Sequence, residues 1–189
     1  PRSSSCTPIS TVFLTPLRIP AMSLPSLPDA EAQCVALAEL IRPTLLPGTM
    51  LVGIHSGGAW IARRLQELLG LPGEIGLIDV SFYRDDFGEK GLHPQVKPTS
   101  IPFEVEARHL ILVDDVLYTG RTTRAAINEL FDYGRPANVK LAVLADRGGR
   151  ELPVCAEFCT WKVSLDDSEE LILEPDASGR LQWRCVDHA

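Results

Sequence analysis

No run of apolar residues in this 189-residue chain approaches the length of a membrane span, and the longest are strand-sized. The sequence therefore predicts a domain that folds in water. Basic residues are the minority, 18 Lys and Arg against 25 Asp and Glu, for a formal net charge of -7. This excludes a general affinity for nucleic acid or anionic membranes, so any RNA contact has to be local. The five cysteines, Cys6, Cys34, Cys155, Cys159 and Cys185, form no CxxC pair. Their odd number fits reduced thiols in the cytoplasm better than a disulfide framework. Cys155 and Cys159 have no histidine or second pair near them in sequence, so core or surface thiols are the better reading than zinc. There is neither a GxxxxGK[ST] loop nor a GxGxxG turn, which removes the main support for nucleoside-triphosphate and dinucleotide binding.

What is present is an apolar fraction of 45%, enough for a full core. Residues 1–28 are dense in Ser, Thr and Pro without periodicity and are expected to be a disordered extension. Met22 stands just before the first folded-looking segment and is the expected natural start, with a transit peptide as the competing reading. The folded domain is expected over residues 29–189. From Asp29, Cys34, Leu37, Ala38 and Ile41 repeat at helical spacing. Then follow the strand "MLVGI", the turn "HSGG", and a helix with Ile61, Leu65, Leu68 and Leu69 on one face. "IGLIDVSFY" reads as a second strand and "LILV" as a third. A helix over about 122–133 places Thr123, Ile127, Leu130 and Phe131 together, and "VKLAVLAD" is a fourth strand. Nearly continuous apolar strands alternating with amphipathic helices mean an α/β fold, with a parallel sheet covered on both faces. After Arg150 the pieces "EFCTWKV", "EELILEP" and "LQWRCV" lack an obvious helix and predict a small antiparallel cap over about 155–189.

The stretch "LILVDDVLYTGRTT", residues 110–123, carries the chemistry. Ligands of open parallel sheets sit beyond the carboxyl ends of the strands, which is where Asp114 and Asp115 fall. "TGRTT" then turns into a helix whose amino-terminal N–H groups suit an anion. Gly120 lets the backbone come close, Thr119, Thr122 and Thr123 offer hydroxyls, and Arg121 either adds charge or faces solvent. Two carboxylates beside a phosphate cradle repel phosphate alone but suit a ligand that also brings hydroxyls or a metal ion. A sugar phosphate does so, each charge-assisted bond being worth about 1.5–3 kcal/mol. The competing reading, plain helix capping by these acids and threonines, explains each residue singly but not their combination.

These residues resemble the phosphoribosyl pyrophosphate signature of type I phosphoribosyltransferases. More narrowly, "VDDVLYTGRT" followed by "YGRPANVKLAVLADRGGRELP" is similar to the pyrimidine operon attenuators that are also uracil phosphoribosyltransferases; the likeness runs from about Met50 to Pro153. The resemblance implies that Asp114 and Asp115 hold the ribose hydroxyls and outer-shell Mg²⁺, which the substrate carries. Thr119, Gly120, Arg121, Thr122 and Thr123 would bind the 5′-phosphate. The backbone of Ser56, Gly57 and Gly58 would take the pyrophosphate, at a place where the nearest relatives usually carry Thr-Arg-Gly. His55 is read as a satisfied loop histidine.

Tyr83 to Ser100 is too long for an ordinary connection and reads as a lid or a surface hairpin. On a lid, Arg84 reaches the pyrophosphate and closure excludes water. Purine-specific relatives carry an Asp just before the "TG", and Tyr118 at that place implies uracil. The base would lie against Asp146 and Arg147 under the cap near Leu171.

Two functions follow from the resemblance. One is an enzyme making uridine 5′-monophosphate and pyrophosphate from uracil and phosphoribosyl pyrophosphate with Mg²⁺, as a dimer. The other is an RNA-binding attenuator that uses the pocket only to sense uridine nucleotides. Arg124, Arg135, Arg147 and Arg150 are the candidates for a basic face, while "AEAQCVALAEL" and "SLDDSEE" are acidic or neutral.

Overall fold

The computed structural model describes residues 27–80 and 98–187. Tyr83, Arg84, nearly all of the expected lid and the extension through residue 26 lie outside the described residues. Leu27, assigned to the extension by composition, packs against the core.

Five strands form one sheet in the order β2-β1-β3-β4-β5 and all pair in parallel. They are β1 (Met50–Ile54), β2 (Gly76–Ile78), β3 (His109–Leu117), β4 (Asn138–Asp146) and β5 (Phe158–Lys162). Helices α1 (Ala30–Ile41), α2 (Gly57–Leu69) and α3 (Arg121–Asp132) cover it. Consecutive residues of β3 enter opposite cores: Ile111 and Val113 join Leu37, Ile61 and Leu65, whereas Leu110 and Leu112 join Ala126 and Leu130. A strand covered on both faces has no solvent side, which is why the run is apolar without alternation.

Three expectations change. The segment "EFCTWKV" does not open a cap; its Phe158–Lys162 core is β5, hydrogen-bonded to β4 at the edge of the main sheet. Only β6 (Glu169–Pro175) and β7 (Leu181–Asp187) make the antiparallel pair. Their apolar face covers α1 and the neighbouring core through Leu171, Leu173, Leu181 and Trp183. Phe131 does not share the buried face of α3 but is 53% exposed, since the inward positions there are Thr123, Ala126 and Leu130. Strand β2 is shorter than "IGLIDVSFY", and the chain returning at residue 100 pairs antiparallel with it through Leu77 and Ser100.

The hairpin is bound to α1 by polar contacts as well. Trp183 Nε1 donates to Gln33 Oε1 at 2.6 Å, and the Leu181 N–H donates to Glu31 Oε1 at 2.9 Å. Arg180 pairs with Asp29, whose carboxylate also caps α1. No helix of the described residues is long and apolar enough to cross a membrane.

Candidate active site

The third strand does not stop at the acids, as "LILV" alone suggested. Its pairing with β1 ends at Val113, while pairing with β4 continues to Leu117. From Asp114 onward the β1 side of β3 is therefore open, and the turn from β1 into α2 passes there. A Cβ added to Gly57 would lie 2.3 Å from Asp115 Oδ2, and one on Gly58 would lie 2.1 Å from the Val113 carbonyl oxygen. Both distances are far inside van der Waals contact, so the turn reaches the acids only because these residues have no side chain. The His55–Ser56 peptide bond in this turn is cis. Ser56 stands at the N-cap of α2 without a side-chain capping bond. Asp114 is 7% exposed, and its Oδ1 accepts the Asp115 N–H at 3.0 Å.

The second wall is the turn from β3 into α3. Gly120 is the N-cap at φ 94°, a conformation in which a side chain is strained, so the N-cap residue itself has no side chain to occupy the first N–H groups of α3. Thr119 Oγ1 accepts the Arg121 N–H at 3.3 Å. The Thr119 carbonyl accepts from the N–H groups of Glu151 and Leu152 at 3.0 and 3.1 Å. Together the two turns and the two acids frame one end of the sheet with backbone donors on either side of carboxylates. This arrangement suits a ligand with two anionic ends and hydroxyls between them.

A family profile described as "Phosphoribosyl transferase domain" matches residues 29–171. This chain belongs to that family. Among curated relatives, the "Bifunctional protein PyrR" of Ralstonia nicotianae is 53% identical over 156 residues, covering 80% of this chain and 88% of that protein. The protein of the same name from Pseudomonas paraeruginosa is 55% identical over 138 residues, covering 73% and 81%. Among solved structures, a hypoxanthine-guanine phosphoribosyltransferase from Bacillus anthracis superposes with a TM-score of 0.58 at 19% identity, covering 75% of this chain and 86% of that one. The last likeness concerns the fold, which is that of the type I phosphoribosyltransferases.

Within this phosphoribosyltransferase fold the sequence-predicted residues are sorted by their surroundings. Asp114, Asp115, Gly57, Gly58, Thr119, Gly120 and Thr122 come together at the carboxyl edge of the sheet. Thr123 does not offer a surface hydroxyl; at 2% exposure it lies on the inner face of α3, one residue past the turn. The Arg121 guanidinium forms an ion pair with Glu151. Asp146 Oδ1 accepts from the Gly148 N–H at 2.9 Å and faces Arg150 Nη2 at 2.6 Å, which holds the loop after β4. Leu171, expected against the base, is 6% exposed and belongs to the core shared with Phe158 and Trp183, because the inward positions of β6 alternate through it.

Beyond β4, where the base was expected, the Arg147 guanidinium stands over the Tyr118 ring at 4.0 Å, and its Nη2 donates to the Asp166 carbonyl at 3.4 Å. Next to it is an open depression of about 350 Å³ lined by Asp146, Arg147, Gly148, Lys162, Val163 and Ser164. Lys162, Val163 and Ser164 were not among the sequence candidates. Their only signal was position, at the end of and just after a strand that composition had placed elsewhere.

Proposed function

We propose that this phosphoribosyltransferase transfers the phosphoribosyl group of phosphoribosyl pyrophosphate to uracil, forming uridine 5′-monophosphate and releasing pyrophosphate. The observation that carries the reading is the apposition of Asp115 to Gly57 on the same sheet edge as the Thr119–Thr122 turn. The α3 turn holds the 5′-phosphate through backbone N–H groups and the Thr122 hydroxyl, with the buried Thr119 bracing the turn through the Arg121 N–H. Asp114 and Asp115 accept from the ribose hydroxyls, fixing the ring while the anomeric bond lengthens in an oxocarbenium-like state. The Gly57–Gly58 backbone receives the leaving pyrophosphate, and the depression beside Arg147 receives the base.

Two carboxylates with a side-chain-free glycine beside one of them form a hard-oxygen set that suits Mg²⁺ carried in with the substrate and its water. Among the described residues no group of three or more His, Cys, Asp or Glu could hold the ion alone. Bound there, Mg²⁺ neutralises charge on the pyrophosphate.

Uridylate formation from radiolabelled uracil, compared across a panel of bases, tests the reading. Asp115→Asn should lose about 10- to 100-fold of activity, the worth of one charge-assisted hydrogen bond. Full activity in that variant would contradict the carboxylate role, and a wild-type protein inactive with every base would sink the reading. A second role, uridylate-dependent binding to an RNA leader, is supported by the word "bifunctional" in the relatives' names. Arg124 and Arg135 are exposed and available to phosphates, whereas Arg147 and Arg150 are engaged within the domain. Filter binding at two salt concentrations, with and without uridylate, should reveal a salt-sensitive affinity; none at either concentration rules the RNA role out.

A further inference from the structure

The segment between β4 and β5, "RGGRELPV", is longer than a turn requires and carries a cation directed away from solvent. Arg150 is 23% exposed in its side chain, and its guanidinium serves three stretches of backbone at once. Nη1 donates to the carbonyls of Leu117 (3.2 Å) and Tyr118, where β3 gives way to the phosphate turn, and to Gly148 (2.8 Å) on the base side. Nε donates to the Val154 carbonyl at 3.1 Å, and Nη2 meets Asp146 Oδ1 at 2.6 Å. The planar five-donor fork of arginine fits this set of acceptors; a lysine ammonium has three donors at one point.

The same segment grips the phosphate turn by its backbone. The N–H groups of Glu151 and Leu152 both donate to the Thr119 carbonyl, and the Arg147 N–H donates to Leu117 O at 3.1 Å. Leu152 and Val154 close over Gly120, at 3.3 to 3.4 Å from where its Cβ would stand. The phosphate turn thus hangs from the base-side loop, with Arg150 at the joint.

We propose that Arg150 is a positioning residue that sets the separation between the 5′-phosphate turn and the base depression, and so the alignment of the anomeric carbon with the incoming nitrogen. The proposal rests on the base-transfer reading above. A displacement of about 1 Å between reacting groups costs on the order of 10²-fold in rate, so a loosened joint acts on turnover more than on occupancy.

The test compares Arg150→Lys and Arg150→Gln with the wild type in steady-state kinetics and amide hydrogen exchange. Both variants should lose about 10- to 100-fold in kcat per folded enzyme, more than either KM changes. The amides of Arg147, Glu151 and Leu152 should exchange faster than in the wild type. Unchanged kcat in both variants, or unchanged exchange at those amides, overturns the proposal. A lower Tm with kcat retained also overturns it, leaving a purely structural role. If Arg150→Gln does not fold, Arg150→Lys decides alone. If the wild type turns over no base, the transfer reading fails by itself, and the exchange rates still judge the joint.

Discussion

The Arg147 guanidinium lies 4.0 Å from the centroid of the Tyr118 ring, and a Cβ on Gly149 would come within 2.4 Å of Tyr118 Cε2. The tyrosine is therefore held between a cation and a bare backbone, beside the depression proposed for the base. Tyr118→Phe keeps the ring and should leave kcat/KM for uracil nearly unchanged. Tyr118→Ala removes a cation–π contact of about 1 kcal/mol and should lower kcat/KM roughly fivefold. Equal losses in the two variants would show that the hydroxyl, not the ring, matters.

The two glycines at the start of α2 should fail in different ways. Alanine at Gly58 meets the Val113 carbonyl of the central strand, backbone that cannot turn aside, and should destabilise the fold by about 1–3 kcal/mol. Alanine at Gly57 meets Asp115, whose carboxylate can rotate aside while its Cβ, 2.7 Å away, needs only a small backbone shift. Gly57→Ala should therefore lower activity with a smaller change in Tm, and thermal melts beside turnover rates distinguish the two.

Thiol reactivity should follow burial. Cys34 is fully buried within α1's inner face, and desolvation pushes its pKa up to about 12; Cys155 is exposed. Among the described cysteines, iodoacetamide at mildly alkaline pH should modify Cys155 first and Cys34 only on unfolding. Peptide mass spectrometry after timed labelling reads the order, and early labelling of Cys34 would contradict the packing of α1.

Acid should loosen the amino end of α1. The N–H of Ala32 and then that of Glu31 donate to the Asp29 carboxylate, and Arg180 stands beside it; these hold its pKa below the ordinary value. A carboxyl lowered in the folded state stabilises fully above its unfolded pKa, and that contribution is lost as pH falls through the folded value. Asp29→Ala should thus melt earlier than wild type at neutral pH, with the gap closing in the acid range below about pH 4. A gap that persists in acid would assign the effect to something other than the charge.

The alternating strands and helices were legible because a doubly covered sheet leaves its mark residue by residue, as in Leu110 to Val113. The acids and the "TGRTT" turn were legible because strand end, carboxylates and helix start occur in one continuous stretch. Strand β5 was not: an edge strand with Thr160 half-buried and Lys162 exposed has the same mixed texture as a cap strand, and only its partner distinguishes them. Arg150 read as a surface cation because all but one of its acceptors, Asp146, are carbonyls, which have no sequence signature. Leu171 was misplaced for a related reason, since alternation along β6 shows that a residue turns inward but not which core it enters.

The contacts joining α1 to the last hairpin have a bearing on synthesis. Gln33 waits for Trp183 and Glu31 for Leu181, partners 150 residues later in the chain. While the chain is being made, the first helix can pack against α2 soon after both emerge, but the side that receives the hairpin stays open until the sheet has formed. Closure of that side of α1 is thus the work of β6 and β7, and a chain that stalls before them leaves Gln33 and Glu31 without these partners and part of the apolar core uncovered for a chaperone to bind.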